Sequence, residues 1–370
     1  MKFNYLGIGA AGNKAAIKLI NEGVADASEV FLVNSTDKDF PTEFKGGKII
    51  LKPDNTGCGK ERFVAKEYAT RSIKAGLFDS IFSEDVTNVV LVTSVEGGTG
   101  SGATPIIANY VGSVLNKNIH IIAFTGFEED VRGLQNTVEF FQEISSFDAD
   151  IMTIQLSGFS SKAKGNKFTA EEMADEEFCR RINIMKGTDL KSSVQNIDDT
   201  DIFKVVSTIG YKTIEEIKFD ENLLDVEQFN KLCKQMVYQS VSLKTKEPGQ
   251  LRLGVILNIR LESEDAVDYG FKVFKDAYGI PYECFFHKQY DGGQQYIRII
   301  SSGMKLPVDE VKEVYERYLA ASGMVDKKED TFFDQLSGLK ISTEDEMFNL
   351  VGRKKSGVNK NDFLKSLETK

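Results

Sequence analysis

The first 160 residues alternate short, unbroken apolar runs with stretches of mixed polarity. The runs are Phe3–Gly9 (FNYLGIG), Val30–Val33, Ile49–Leu51, Asn88–Thr93 (NVVLVT), Ile119–Phe124 and Ile151–Leu156. They are too short for helices and lack the in–out alternation of a strand with one wet face. Each therefore predicts a strand buried on both faces. Residues 13–22, 60–79, 103–116 and 131–145 predict helices, with Ala15, Ile17 and Ile20 on the inner side of the first. Strand and helix in strict alternation predict a doubly wound α/β domain on a parallel sheet.

The pattern then changes. Residues 168–245 predict mainly helix and no long strand. Thr169 followed by Glu171 and Glu172 marks a helix start, and Met173, Phe178, Ile182 and Met185 share a face. Gly187 and the polar stretch to Thr200 interrupt this helix, and a second helical piece runs from Asp199 to Ile209. After a linker at 246–254 (KEPGQLRLG), strands return at Leu253–Leu261, Tyr282–His287 and Gln295–Ser301, with helices at 262–277 and 307–322. This predicts a smaller α+β domain on a mixed or antiparallel sheet. The expected divisions are 1–165, a central helical connector at 166–245, the α+β domain at 246–324 and a polar tail at 325–370. The tail carries Arg353, Lys354 and Lys355.

Composition narrows the function. The chain has 370 residues, 41% of them hydrophobic and 28% charged, with a net charge of -10. An acidic surface disfavours direct DNA contact, because the phosphate backbone demands positive charge. Cys58, Cys179, Cys233 and Cys284 show no C-x-x-C spacing, and only two histidines exist. Zinc, disulfide and His-triad chemistry are disfavoured. The chain enters its first strand without an apolar leader, and no run approaches the ~18 residues a membrane span needs. A cytoplasmic protein without membrane contact is expected.

Two glycine-rich loops carry candidate chemistry. Gly7-Ile8-Gly9-Ala10-Ala11-Gly12 joins the first strand to the first helix in G-x-G-x-x-G spacing. Such a turn brings backbone N–H groups and the positive end of a helix dipole onto a phosphate. Alone it suits a dinucleotide-binding oxidoreductase equally well. The ribose-binding acid of such enzymes is missing, however, because the second strand runs into Val33-Asn34-Ser35-Thr36-Asp37. Gly97-Gly98-Thr99-Gly100-Ser101-Gly102 follows the fourth strand. Its bare backbone can form an anion nest. No lysine follows in G-K-[S/T] order, so it is not a P-loop.

GGTGSG after the fourth strand resembles the signature loop of the tubulin/FtsZ superfamily. GIGAAGN, Asn34–Asp37 and Asp54-Asn55-Thr56-Gly57-Cys58-Gly59-Lys60-Glu61-Arg62 resemble that family's first three nucleotide loops. The TGCGKER wording is most similar to the plasmid- and phage-borne TubZ branch.

The resemblance implies a GTPase using GTP/GDP with Mg²⁺. It implies that Gly9, Ala10, Ala11, Gly12 and Asn13 hold the α/β-phosphates, with Asn34 and Ser35 on the second loop. Gly57 and Gly59 would lie near the γ-phosphate, and Gly97, Gly98, Thr99, Gly100, Ser101 and Gly102 on the opposite wall. Glu128 and Arg132 would sit near ribose and guanine, and Asn183 would read the base edge.

Family members complete their site with a synergy loop reading roughly N-x-D-x-x-D, inserted into the neighbouring subunit's pocket. Here it is matched to Asp220-x-Asn222-x-x-Asp225, with the first two residue types exchanged. Asp220 and Asp225 are the expected catalytic carboxylates, with Asn222 beside them. The implied biology is a head-to-tail filament, self-activated as a GTPase, that segregates plasmid or phage DNA. DNA would be reached through a DNA-binding adaptor protein held by the C-terminal tail. An FtsZ-like division filament is the alternative.

Overall fold

The computed structural model describes residues 2–127, 130–187, 190, 199–220, 225–245, 249–260, 264–323 and 358–368. The predicted strands appear as β1 (Phe3–Ile8), β2 (Val30–Asn34), β3 (Gly47–Ile50), β4 (Asn88–Ser94), β5 (Asn118–Thr125) and β6 (Asp150–Gln155). Four helices accompany them: α1 (Gly9–Asn21), α2 (Arg62–Lys74), α3 (Gly98–Ser113) and α4 (Val131–Ile144). Next come α5 (Lys167–Lys186), α6 (Asp199–Val206), β7 (Gly210–Phe219) and α7 (Val226–Tyr238). The remainder is β8 (Arg252–Asn258), α8 (Glu264–Tyr278), β9 (Glu283–Gln289), β10 (Gln295–Met304), α9 (Val308–Ser322) and α10 (Lys360–Glu368).

One ten-stranded sheet links these strands in the order β3-β2-β1-β4-β5-β6-β7-β10-β8-β9. The first seven run parallel, and β10 is antiparallel to both β7 and β8. The unbroken apolar runs behave as a strand between two helical layers must. Along β1, Leu6 and Ile8 face a core shared with α2, α3 and α4, whereas Phe3 and Tyr5 face a core shared with α1 and α5. The same alternation repeats in β4, with Leu91 on the first side and Val90 and Val92 on the second.

The region 168–245 needs correction. It contains the ten-residue strand β7, where mainly helix and no long strand are expected. Its sequence, GYKTIEEIKF, hides the strand because charged residues stand where apolar ones would announce it. Lys212 and Glu215 are nonetheless buried. Lys212 Nζ donates to Asp150 Oδ2 at 2.6 Å, and Glu215 accepts from Ser240 and Ser242 at 2.6 and 3.1 Å. β7 pairs with β6 on one side and β10 on the other, so the sheet continues through the connector into the C-terminal strands. Strand β8 already starts at Arg252, within the expected linker.

Helix α5 starts earlier than predicted, with Asn166 as its N-cap, and ends on Gly187 in the left-handed conformation (φ 62°). Phe178, Ile182 and Met185 are buried, as a shared inner face requires.

Candidate functional site

Helices α1 and α3 follow the adjacent strands β1 and β4, so their N-termini open at the same edge of the sheet. Neither has a side-chain cap or an acidic residue in its first turn. Uncapped first-turn N–H groups and two positive dipole ends thus converge, which is what an anion-binding site needs.

Glycine is required where the loops meet. Gly9 has φ 75°, and a Cβ there would stand 3.0 Å from the Gly100 nitrogen. A Cβ on Gly100 would lie 2.3 Å from Thr93 Oγ1, and one on Gly12 only 2.1 Å from the Val92 carbonyl. The loops are closed against the sheet and one another, leaving their outer surface to a ligand. Ala10 and Ala11 are exposed on that surface.

The second and third loops add walls. Ser35 and Thr99 hydroxyls share a buried hydrogen bond at 3.0 Å. Asn55 is doubly bonded to Asp37, accepting from its backbone nitrogen at 2.7 Å and donating to its carboxylate at 2.6 Å. Lys52, almost buried, donates to Thr56 Oγ1 at 2.5 Å and lies over the Tyr68 ring. A backbone hydrogen bond from Thr56 holds the Asp54 carboxyl below its usual range. Gly57 and Gly59 are exposed, and a Cβ on either would meet nothing.

Two residues not singled out in the sequence hold this frame. Arg62 is buried and donates to Glu139 at 2.8 Å, Glu143 at 3.1 Å and the Ser101 carbonyl at 3.0 Å, tying α2 to α3 and α4. Asn136 donates to the carbonyls of Lys60 and Glu96 at 3.1 and 2.9 Å. A lone Asn in an amphipathic helix gives no sequence signal for such a role.

The expected site residues are not all placed alike. Gly9, Ala10, Ala11, Gly12, Gly97, Gly98 and Gly100 come together, with Gly102 packed beneath on Arg62. Ser101 turns its hydroxyl back to the Gly97 carbonyl, so it offers a ligand only backbone. Asn13 turns inward and accepts from the Val33 nitrogen at 3.2 Å, while Asn34 donates to Asp39 at 2.6 Å. Arg132 is exposed and pairs with Glu61 at 2.9 Å. Glu128 and Asn222 lie outside the described residues.

Asn183 is not brought to the site. Lys14 of α1 approaches Asp175 of α5 at 3.4 Å, and Lys186 donates to the Val24 carbonyl at 2.6 Å. Helix α5 therefore runs alongside α1, away from the phosphate edge. Asn183 lies 12 residues beyond Glu171, which also faces Lys14, and so is about 18 Å further down. At the near end Phe168 is 79% exposed, an apolar ring on the rim that its local sequence does not announce.

The expected carboxylates Asp220 and Asp225 lie between β7 and α7. Strand β7 is parallel to β6, with Gly210 opposite Asp150, so Asp220 emerges at the same sheet edge as the glycine loops. It accepts from Gln294 at 3.0 Å, and Asp225 is the N-cap of α7, accepting from the Gln228 nitrogen at 2.8 Å. Carboxylates serving a neighbour's site in a head-to-tail stack belong at the opposite edge. The end of α5 and the start of α6 lie toward that edge. A Cβ on Gly187 would touch Ile202 Cδ1 at 2.9 Å, and Lys212 donates to the Val206 carbonyl. The sequence there is Asn196-Ile197-Asp198-Asp199-Thr200-Asp201, which spells N-x-D-x-x-D without exchange. Residues 191–198 lie outside the described residues, whereas Asp201 stands in the first turn of α6 beside Lys204 at 3.7 Å.

Among the described residues no group of three or more His, Cys, Asp or Glu side chains could hold a metal ion, and no helix is long and apolar enough to cross a membrane.

No family model matches the chain. The phage protein "Tubulin-like protein TubZ" of Clostridium botulinum C phage is 25% identical over 231 residues, covering 60% of this chain and 61% of that protein. "Cell division protein FtsZ 1" of Pyrococcus woesei is 22% identical over 213 residues, covering 56% and 57%. The matches thus span about three-fifths of these relatives' length. Among solved structures, GTPγS-bound protofilament CetZ2 of Haloferax volcanii aligns with TM-score 0.71 at 14% identity, covering 88% of this chain and all of that one. GDP-bound monomeric CetZ1 of the same organism gives 0.69 at 18%, covering 87% and 100%. TubZ of Clostridium botulinum phage c-st gives 0.64 at 19%, covering 86% and 99%. The fold is that of the tubulin/FtsZ superfamily.

Proposed function

We propose that the chain binds GTP and GDP at the convergence of α1 and α3, hydrolyses GTP, and assembles head to tail into filaments. The carrying observation is the pair of uncapped helix N-termini closed on each other at Gly9 and Gly100. Gly57, Gly59 and Gly97 provide the unobstructed backbone around the phosphates. Phe168 offers an apolar face to a base at the rim. Magnesium would be held by phosphate oxygens and water, the usual habit of that ion in such sites; among the described residues no carboxylate cluster awaits it.

Phosphoryl transfer needs positioning and charge control more than covalent chemistry. The water-orienting carboxylates are Asp198 and Asp201, acting on the next subunit's nucleotide, with Asp201 in the first turn of α6 at the far edge. An isolated subunit is then a poor catalyst, and hydrolysis follows assembly. Such a contact is heterologous and does not close on itself. The protofilament form of the CetZ2 relative supports this reading.

A DNA-segregating filament of the TubZ kind, reaching DNA through an adaptor on the tail, fits the acidic charge of -10. An FtsZ-like division filament is the second reading, favoured by the similar 22% identity to FtsZ 1. Sedimentation with GTP, GDP and GTPγS tests the core proposal. Polymer is expected with GTP and GTPγS only; no nucleotide-dependent pellet at any protein concentration overturns it.

A further inference from the structure

The last described helix, α10, is docked on the body of the protein. Lys360, Phe363, Leu364 and Leu367 face inward, while Asn361, Asp362, Lys365 and Ser366 are exposed. That is the i, i+3, i+4, i+7 stripe of a helix lying in a groove. Phe363 is 3% exposed and packs on Tyr110 of α3, with ring centroids 5.5 Å apart. Lys360 Nζ donates to Asp79 Oδ2 at 2.6 Å and lies 5.7 Å from the Tyr110 ring centre. Tyr110 donates to the other Asp79 oxygen, and the Val358 nitrogen donates to the Ser113 carbonyl at the end of α3 at 3.0 Å. The receiving surface is built for this: an aromatic floor, a carboxylate at one end and an open helix C-terminus. Burial works against the Asp79 carboxylate, but the bonds from Lys360 and Tyr110 outweigh it and keep its pKa low.

We infer that the groove formed by α3 and the turn after α2 is a peptide-docking site whose occupant is the chain's own C-terminal segment, held in cis as a releasable latch. The four anchor residues give the segment a small contact, comparable to short helix-in-groove ligands, and tethering raises its local concentration. Both conditions favour a segment that stays docked yet exchanges. A partner that grips residues 358–368 must first take them from this groove. The site lies at the far ends of α2 and α3 from the glycine loops, so its test needs no nucleotide.

The probe is a fluorescein-labelled synthetic peptide of residues 357–370, titrated by anisotropy onto full-length protein. Phe363→Ala empties the groove from the occupant's side without touching its walls. Binding to F363A is expected at least tenfold tighter than to wild type. Equal binding to both, or to neither, overturns the latch. Asp79→Lys in the F363A chain should abolish binding, and a peptide carrying Lys360→Glu should restore it; failure of that swap overturns the assigned pose. Cis occupancy is checked with Asp79→Cys and Lys360→Cys in a Cys284→Ser background, since Cys284 is the exposed native thiol. A short bismaleimide should link the two within one chain at low concentration. Exclusively intermolecular products overturn the cis assignment.

Discussion

The Gly100 nitrogen lies 3.0 Å from the point where a Cβ on Gly9 would stand. Two loops separated by some ninety residues of chain are thus packed backbone to backbone, each at the head of its own helix. Glycines in this site fall into two kinds. Those facing the protein, such as Gly12 and Gly100, are required for the loops to close. At Gly57 and Gly97, by contrast, an added Cβ would meet nothing in the protein and the backbone does not demand glycine, whereas Gly59 is held to glycine by its φ of 56°.

That division predicts opposite outcomes for two small substitutions. Gly12→Ala drives a methyl to 2.1 Å from the Val92 carbonyl and should cost about 3 kcal/mol or more of stability, read as a lowered melting temperature. Gly97→Ala meets no atom within 4 Å and should leave stability within about 0.5 kcal/mol. It should nonetheless weaken GTP binding about tenfold, near 1.4 kcal/mol, by blocking close approach of phosphate. Calorimetric titration of G97A with unchanged affinity would show that phosphates do not pass there.

The two carboxylate pairs separate as cleanly. Asp198→Ala and Asp201→Ala should still form polymer with GTP but release phosphate at least about 100-fold more slowly, the scale of a lost proton-accepting or water-orienting group. Asp225→Ala removes an N-cap and should cost about 1 kcal/mol of stability while hydrolysis per polymerised subunit is unchanged. If D225A is the slow hydrolase and D198A the normal one, the far-edge assignment is wrong.

Much of the fold was legible because doubly buried strands leave only one apolar pattern, and β1, β4 and β5 carry it openly. The two glycine loops were legible for a similar reason, since a backbone stripped of side chains has few other uses. Strand β7 was not, because its Lys212 and Glu215 are satisfied by partners far away in sequence, Asp150 and Ser240. With no strand expected ahead of them, Asp220 and Asp225 resembled a loop after the central helix. Asn183 failed through direction: the sequence marks a helix but not which end reaches the ligand. The role of Arg62 depends on the Ser101 carbonyl, a contact between helices that no local pattern announces.

The misread strand supplies a prediction of its own. Lys212, Asp150 and His120 are all buried, with His120 Nδ1 2.5 Å and Lys212 Nζ 2.6 Å from the same Asp150 oxygen. Burial pulls the Lys212 pKa down, and Asp150 opposes that shift. Lys212→Met should therefore destabilise the fold by ~3–5 kcal/mol, because it strands a buried carboxylate. Adding Asp150→Asn should recover much of the loss. Thermal unfolding by circular dichroism checks both, and a double variant no better than K212M alone would assign the loss to packing instead of charge.

Asp175 gives the fold a specific pH response. Burial pushes its carboxyl up to about 6, despite Lys14 at 3.4 Å and Lys18 nearby. Lys14 is 55% exposed, so its charge is largely screened by water and does not offset the desolvation of a carboxyl that is itself 6% exposed. The folded-state pKa is raised above the ordinary 3.8, so between pH ~4 and ~6 the folded protein holds a proton the unfolded chain has released. This group's contribution is fully present below about pH 4 and is lost as pH rises through about 6. Asp175→Asn cannot ionise and should raise stability near neutral pH by on the order of 2 kcal/mol, with little gain at pH 4. Melting temperatures of wild type and D175N across pH 4 to 7 should therefore diverge as pH increases; parallel curves would mean that Asp175 is held by Lys14 after all.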